Sequence, residues 1–206
     1  MIDAHCHLAA DEFRPDLPSV VQRAREAGVK GCLVNTEGVY ELEPCLEVCG
    51  DFPGFLLPCA GVHPVQYEKR ASEDGGEELW GRSAKLDDLQ GLEDWLKEHH
   101  ECVVALGEVG LDFTPRYIHS PEDKEAQRSV LREQIRLASQ YQLPLISHSR
   151  SAGKPTIELF GSCGAKHVLL HAFDGSPKNA KAGVEAGYYF SIPPCIAYSN
   201  QVNLLV

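Results

Sequence analysis

The chain has 206 residues and a mass of 22.7 kDa, which is enough for one domain with its own core. Its 43% hydrophobic content excludes wholesale disorder, and its net charge of −11 excludes a protein that coats nucleic acid or anionic lipid through a broad basic surface. A metal-assisted nuclease stays compatible with that charge, because bound cations supply local positive charge. The sequence has neither an apolar run of about 20 residues nor a signal-peptide core. We therefore predict an intracellular protein, of the nucleus or the cytoplasm, with no membrane partner and no obligate protein partner.

The eight cysteines are predicted to be reduced, because the sequence has no secretory signal. Cys45 and Cys49 lie four residues apart on a predicted helix, a spacing that is compatible with a two-cysteine metal clip. No second pair follows at zinc-finger spacing, so the sequence favours thiols that bind no metal at both positions.

In chain order, short apolar runs typical of β-strands alternate with segments of helical periodicity. Helices are predicted from Leu17 to Ala27 with Gly28 as the stop, and around Leu89–Leu96. Another begins at Ser120, where a serine cap, a proline and an acidic residue follow one another. The predicted strands are Met1–Ala4, Gly31–Thr36, Phe55–Val62, Val103–Leu106, Pro144–Ser147, Val168–Leu170 and Tyr188–Ile192.

Seven strands alternating with helices predict an α/β fold, in which helices cover a parallel sheet. The candidates are an open doubly wound sheet and a TIM (β/α)8-type barrel. No glycine-rich phosphate loop follows the first strand, which weakens the doubly wound alternative. One acidic segment, Tyr67–Asp88, departs from the pattern. We predict a mobile surface loop there, with a substrate-facing lid as the alternative.

Five of the nine histidines stand at the ends of predicted strands: His5, His7, His63, His148 and His171. The carboxyl ends of parallel strands meet on one face of a sheet or barrel, where active sites form. We therefore expect these histidines to converge with Glu108, the carboxylate at the end of an apolar strand.

These residue types suggest a site that binds two divalent metal ions. His5 and His7 are two residues apart on an extended strand, so both imidazoles point to the same side and can bind one ion. Glu108 can bridge two ions, and His148 with His171 completes a second metal position. Two ions that share a water lower its pKa and stabilise both the attacking and the leaving oxygen of a phosphate ester.

Two further residues are candidates for contact with a phosphate ester. Arg150, two residues after His148, is placed to bind a phosphate oxygen. His63, in a Gly-Val-His-Pro run, is placed to meet the phosphate or the leaving group. A surface arginine and a histidine that orients its loop are the alternatives for these two positions.

Five motifs follow one another over nearly the whole chain: Ile2–Leu8 (IDAHCHL), Gly61–Pro64 (GVHP), Gly107–Asp112 (GEVGLD), His148–Arg150 (HSR) and His171–Gly175 (HAFDG). Together they resemble the TatD family of metal-dependent deoxyribonucleases, in its vertebrate TatD domain-containing subgroup. The resemblance implies a barrel of the metal-dependent hydrolase kind, a two-metal centre, and DNA as the substrate whose phosphodiester bonds are cleaved.

Carried over by this resemblance, His5 and His7 look like ligands of the first metal ion, and Glu108 looks like the bridging ligand. His148 and His171 look like ligands of the second ion. The candidate catalytic residues are Glu108, His63 and Arg150. Zinc and manganese suit this set of ligands, whereas magnesium is less apt with so many imidazoles.

The resemblance also carries a departure at the C-terminus. Family members continue through an eighth strand, whose aspartate is a metal ligand, whereas Cys195–Val206 here contains no acidic residue. We therefore expect a form truncated after the seventh strand, with an incomplete barrel over 1–194 and a divergent tail over 195–206. The expected consequence is little or no nuclease activity. The apolar tail residues that can cover the open sheet edge are Val202, Leu204, Leu205 and Val206.

A metal-dependent deoxyribonuclease, acting as an exonuclease or an endonuclease, is thus the predicted function. One alternative is a barrel metallohydrolase of another ester or amide. Such enzymes often carry a lysine on the fourth strand, where this chain has Glu108. The other alternative is a catalytically inactive truncated isoform.

Overall fold

The structure is a computed structural model, and it describes residues 1–71 and 76–197. These residues form nine strands and six α-helices, with short 3-10 turns between them. The strands are β1 (Asp3–Cys6), β2 (Cys32–Asn35), β3 (Leu56–Ala60), β4 (Val65–Ala71), β5 (Glu77–Ser83), β6 (Ala105–Gly110), β7 (Leu145–His148), β8 (Val168–Leu170) and β9 (Tyr189–Phe190). The helices are α1 (Leu17–Glu26), α2 (Leu42–Gly50), α3 (Leu92–His99), α4 (Pro121–Gln140), α5 (Gly153–Ser162) and α6 (Pro177–Glu185).

Seven of the strands form one parallel sheet, in the order β1-β2-β3-β6-β7-β8-β9. The sheet is strongly curled. This is evident from the rings of His5 on β1 and His171 just after β8, which stack with centroids 3.7 Å apart. In a flat sheet, the five steps between β1 and β8 would separate these strands by about 24 Å. The predicted α/β barrel-type fold is therefore confirmed over these seven strands. Within the described residues β1 pairs with β2 alone and β9 with β8 alone.

The predicted strand boundaries differ most at β6. The apolar pattern predicts a strand that ends at Leu106, whereas β6 continues to Gly110. Glu108 therefore lies inside the strand rather than beyond its end. Its polar side chain interrupts the apolar pattern by which a buried strand is identified, although every residue of β6 is buried.

The two helix boundaries that the sequence marks most clearly are confirmed. Ser120 caps α4, because its hydroxyl accepts a hydrogen bond from the backbone N–H of Asp123, whose carboxylate accepts one from the backbone N–H of Ser120. This reciprocal pair satisfies two of the free backbone donors at the helix start. α1 ends just before Gly28, which adopts a positive φ of 85° that suits glycine.

Two large apolar clusters pack the helices onto the sheet, and a small third cluster fills its inner face. The inner cluster includes Ile146 on β7 and Leu169 on β8. Each lies two residues before a histidine, His148 and His171 respectively, so each shares a sheet face with that histidine. The apolar interior of the barrel therefore underlies the histidine side chains at the carboxyl ends of the strands.

The acidic segment Tyr67–Asp88 is not a loop: β4 and β5 form an antiparallel hairpin along their whole length. Lys69 Nζ lies 2.8 Å from Glu77 Oε2, and Arg82 Nε donates to Glu68 Oε2 at 3.1 Å. The prediction of a loop over this segment is wrong, because its charges pair between the two strands instead of being solvated singly. The hairpin tip, residues 72–75, lies outside the described residues.

The tail predicted over 195–206 is described only as far as residue 197, in the 3-10 turn Pro194–Ala197. The boundary at 194 stays a prediction. No helix in the described residues is both long and apolar enough to cross a membrane. The residues expected to cover the sheet edge lie outside the described residues, namely Val202, Leu204, Leu205 and Val206.

Candidate metal centre

One cavity opens at the carboxyl ends of the parallel strands, with a volume of about 200 Å³. Six of the seven parallel strands, all except β9, deliver side chains to it from their carboxyl ends or from the residues just beyond. The last residues of a buried strand keep the inward direction of its inner face. The cavity brings together all seven residues that the sequence singles out: His5, His7, His63, Glu108, His148, Arg150 and His171.

Glu108 occupies the middle of this cavity, and its two carboxylate oxygens face different histidines. Oε2 lies 3.2 Å from Nε2 of both His5 and His7. Oε1 lies 2.8 Å from Nδ1 of His148 and 2.5 Å from Nε2 of His171. Only 3% of the Glu108 side chain is exposed, so these imidazoles replace its hydration almost completely.

Glu108 can reach this position because its neighbour is a glycine. A Cβ added to Gly107 would lie 2.4 Å from the side-chain oxygen of Asn35 and 2.8 Å from Cβ of Ile146. Any larger residue would push β6 away from β2 and β7, and would move Glu108 with it.

The potential ligand atoms around Glu108 lie close enough together to share one metal ion. Nε2 of His5 and Nε2 of His7 are 3.0 Å apart, and each is 3.2 Å from the same Glu108 oxygen. A tetrahedral ion with bonds of about 2.0–2.1 Å separates its ligand atoms by about 3.3–3.4 Å. Nδ1 of His5 is buried and has no hydrogen-bond partner within the described residues. The residues present therefore fit a divalent cation with imidazole and carboxylate ligands.

Two groups of three residues have ligand atoms within 4.8 Å of one another, and both include Glu108. One group is His5, Glu108 and His171; the other is His63, Glu108 and His148. The resemblance pairs His171 with His148, whereas the ring of His171 stacks on that of His5. The resemblance makes His63 a catalytic candidate rather than a metal ligand. Its Nε2 nevertheless lies 3.8 Å from Oε1 of Glu108, and His63 belongs to the second group.

His148 lies between two carboxylates. Its Nδ1 faces Glu108, and its Nε2 lies 2.9 Å from Oδ2 of Asp112, which is 1% exposed. Burial lowers the pKa of His148, but the hydrogen bonds with Asp112 and Glu108 outweigh it and raise that pKa to about 9. In the absence of a metal ion, the proton on His148 balances part of the buried negative charge.

Burial and hydrogen bonding also shift the pKa values of two other groups in the cavity, Glu108 and His63. Burial raises the pKa of Glu108, but hydrogen bonds from His148, His171 and other histidines hold it well below its usual range. Burial lowers the pKa of His63 to about 4, so its imidazole is neutral at physiological pH. Glu108 is therefore anionic, and the neutral imidazole of His63 has a free nitrogen lone pair.

His7 is oriented by the backbone. Its Nδ1 lies 3.1 Å from the carbonyl oxygen of Asn35 at the end of β2. A proton on Nδ1 that donates to this carbonyl leaves the lone pair on Nε2, which faces His5 and Glu108.

Several cavity residues were not assigned a role from the sequence: Glu37, Tyr67, Asp112 and Tyr117. Asp112 stands out in the sequence only as the last residue of the motif Gly107–Asp112. Glu37 directly follows the strand run that ends at Thr36, so the rule that identifies the histidines also applies to it. Tyr117 lies in an irregular segment between β6 and α4, where no periodicity points to a site.

The cysteine pair considered as a metal clip lies away from this cavity. Cys45 and Cys49 are buried in α2, and Sγ of Cys45 donates to the carbonyl oxygen of Val34 at 3.5 Å. Neither group of candidate metal ligands in the described residues contains a cysteine. The cysteines whose state the structure describes are free thiols: Cys6, Cys32, Cys45, Cys49, Cys59, Cys102 and Cys163.

Known proteins with similar sequences cover the whole chain. Mouse TATDN3 is 47% identical over 206 residues, which are 100% of this chain and 67% of the mouse protein. The human deoxyribonuclease TATDN3 is 46% identical, over 100% of this chain and 72% of its own length. The metal-dependent hydrolase YabD of Bacillus subtilis is 29% identical, over 97% of this chain and 71% of its own length.

The fold comparison agrees with the sequence comparison. The crystal structure of YJJV, a TatD homologue from Escherichia coli, superposes with a TM-score of 0.74 at 27% identity, over 92% of this chain and 66% of that one. The chain thus spans about two thirds to three quarters of the length of these proteins. The family model described as TatD related DNase matches residues 2–205, so its match has no boundary at 194. The chain belongs to the TatD-related DNase family.

Proposed function

We propose that this chain hydrolyses phosphodiester bonds of DNA with two divalent metal ions, zinc or manganese, bound on either side of Glu108. The observation that supports this most directly is the position of Glu108, whose two oxygens each face separate imidazoles. A carboxylate in that position can bridge two ions at the short separation that two-metal hydrolysis requires. The family membership and the name of the human relative support DNA as the substrate.

The proposed ligands of the first ion are His5, His7 and one oxygen of Glu108. The proposed ligands of the second ion are His148 and the other oxygen of Glu108. His171 lies between the two groups, since its Nε2 approaches Oε1 while its ring stacks on His5. This set of imidazoles around one carboxylate suits zinc or manganese better than magnesium.

When bound, the ions would stabilise charge on the phosphoryl oxygens and lower the pKa of a water molecule. The chain's own side chains position the ester. Arg150 lines the cavity and donates charge-assisted hydrogen bonds to a non-bridging phosphate oxygen. His63 is neutral and presents its Nε2 to the cavity, where the lone pair can accept a proton from a water molecule. Asp112 accepts a hydrogen bond from Nε2 of His148 and thereby directs Nδ1 toward Glu108.

The test is single-turnover cleavage of an end-labelled DNA oligonucleotide, after a chelator has removed metal and zinc or manganese has been restored. We expect metal-dependent cleavage that falls by at least about 100-fold in Glu108→Gln, or about 2.7 kcal/mol in the barrier. The matched control is Asp174→Asn, at an exposed acid three residues after His171 that does not line the cavity. Cleavage should be unchanged in this variant.

Cleavage by wild type that persists in the chelator, cleavage that is equal in Glu108→Gln, or no cleavage at any metal concentration would contradict the proposal. Hydrolysis of carboxylic esters or amides in place of DNA would support the other class of metallohydrolase.

A further inference from the structure

We propose that Tyr67 and Tyr117 form a stacking platform for a base of an unpaired nucleic-acid strand, beside the phosphodiester bound at the metal centre. The proposal rests on the proposed function and goes beyond it, because it assigns residues that select the form of the substrate. The two tyrosines are called the tyrosine platform below.

The tyrosine platform belongs to the wall of the metal-site cavity. Tyr67 on β4 and Tyr117, in the segment before α4, line the same cavity as Glu108 and Arg150. Tyr67 is 52% exposed, which leaves much of its side chain open to solvent. A large aromatic ring that is exposed at the mouth of a catalytic cavity is available to a substrate rather than to the core.

The platform is built into the hairpin by a glycine. Gly81 on β5 pairs directly with Tyr67, and a Cβ at Gly81 would lie 2.6 Å from Cε1 of Tyr117 and 3.3 Å from Cε1 of Tyr67. The missing side chain therefore leaves the space in which both rings lie. The backbone carbonyl of Tyr117 accepts a hydrogen bond from the hydroxyl of Ser83 at 3.1 Å, which fixes the segment to β5. The backbone of the Tyr117 segment is therefore attached to the hairpin before a ligand arrives.

The charges around the platform suit phosphates on either side of a base. The guanidinium carbon of Arg116 lies 5.8 Å from the centre of the Tyr117 ring, and Arg150 lines the cavity itself. In the part of the chain that the structure describes, neither arginine forms an ion pair with a carboxylate, whereas Arg70 and Arg82 on the hairpin both do. Arg150 in the cavity wall and Arg116 beside the Tyr117 ring can therefore donate charge-assisted hydrogen bonds to phosphate oxygens.

The occupant must present both a phosphate and an open aromatic face. In a duplex, the faces of the bases are covered by their neighbours in the stack, so a flat aromatic platform favours unpaired nucleotides. Stacking of one base on an aromatic side chain strengthens binding by about 5- to 150-fold, largely without regard to sequence. The platform therefore predicts a preference for unpaired strands with little preference among bases.

The experiment measures binding by fluorescence anisotropy, with zinc-loaded chain and a labelled, hydrolysis-resistant phosphorothioate oligonucleotide of ten nucleotides. The comparison ligand has the same length, label and linkages, but tetrahydrofuran units in place of every nucleoside. The variants are Tyr67→Ala, Tyr67→Phe, which keeps the ring, and the control Tyr189→Ala, at a 70% exposed tyrosine on β9 that does not line the cavity.

We expect Tyr67→Ala to weaken binding of the base-containing strand by at least about fivefold, with no change for the base-free strand. Tyr67→Phe and Tyr189→Ala should bind both strands as wild type does. An equal loss for both strands in Tyr67→Ala would overturn the proposal, because it would indicate displaced cations rather than lost stacking. Unchanged binding in Tyr67→Ala, or wild type that does not distinguish the two strands, would overturn it as well.

This binding experiment can fail independently of the cleavage experiment that tests the proposed function, because binding is measured without turnover. A chain that loses base-dependent binding in Tyr67→Ala but cleaves no DNA would contradict the proposed hydrolysis and retain the tyrosine platform. If cleavage of DNA depends on Glu108 but Tyr67→Ala leaves base-dependent binding unchanged, the result would support the proposed hydrolysis and contradict the tyrosine platform.

Discussion

At the residue scale, the metal centre depends on groups that hold the imidazoles as much as on the imidazoles themselves. His7 is fixed by a backbone carbonyl, and His148 by the carboxylate of Asp112. A carbonyl cannot be removed by substitution, but a carboxylate can. Asp112 is therefore the position at which the orientation of a ligand can be tested separately from the ligand.

Asp112→Asn is expected to weaken zinc binding by about 10- to 100-fold, because the neutral amide holds the N–H of His148 less firmly. Isothermal titration of the metal-free chain with zinc measures the affinity, so no turnover is required. The control is again Asp174→Asn, which should bind zinc as wild type does. Equal zinc affinity in Asp112→Asn and wild type would show that Asp112 does not position His148.

At the element scale, the hairpin of β4 and β5 is the part of the fold that supports the cavity from outside the barrel. Arg82 on β5 donates two hydrogen bonds to Asp88, at 2.8 and 2.7 Å, and the backbone N–H of Lys85 donates to the same carboxylate at 2.7 Å. These bonds attach the hairpin to the turn that follows it. Burial raises the pKa of Asp88, but the hydrogen bonds from Arg82 and Lys85 outweigh it and keep that pKa below its ordinary value of 3.8.

Asp88→Asn should lower the free energy of unfolding at pH 7 by about 1 kcal/mol. A carboxyl with a lowered pKa stabilises the fold above its unfolded pKa, and that contribution is lost as the pH falls through its folded pKa. The difference between wild type and variant should therefore shrink below about pH 3.8, as measured by urea unfolding at several pH values. Asp87→Asn, at the exposed neighbouring acid, should change little at any pH. A difference that is constant with pH would exclude the charge of Asp88 as its cause.

At the scale of the whole molecule, the barrel and its histidines could be predicted because both follow from apolar strands. His148 and His171 each come directly after such a run, and parallel strands bring their ends together. The hairpin could not be predicted in this way, because the backbone pairing of β4 with β5 and ion pairs such as Lys69–Glu77 form only once the strands are adjacent. Tyr117 reaches the cavity from an irregular segment. In such a segment neither the spacing of apolar residues nor their alternation with polar ones predicts which side chains enter a site.

The curled sheet brings residues that are far apart in sequence into one candidate cation site with Glu108 at its centre. His5 and His171 are 166 positions apart in the chain, as 171 − 5 gives, yet their rings are stacked. The centre is therefore expected to form only in the folded chain. Removal of Glu108 should affect both ions together, whereas removal of a histidine at one side should affect mainly one.

The most direct measurement is the number of metal ions bound per chain, determined by mass spectrometry of the metals after equilibration with zinc or manganese and removal of free ions. Wild type and Asp174→Asn should each retain two ions per chain, and Glu108→Gln should retain fewer than one. A wild-type chain that holds no ion, or a Glu108→Gln chain that holds as many ions as wild type, would contradict a metal centre bridged by Glu108.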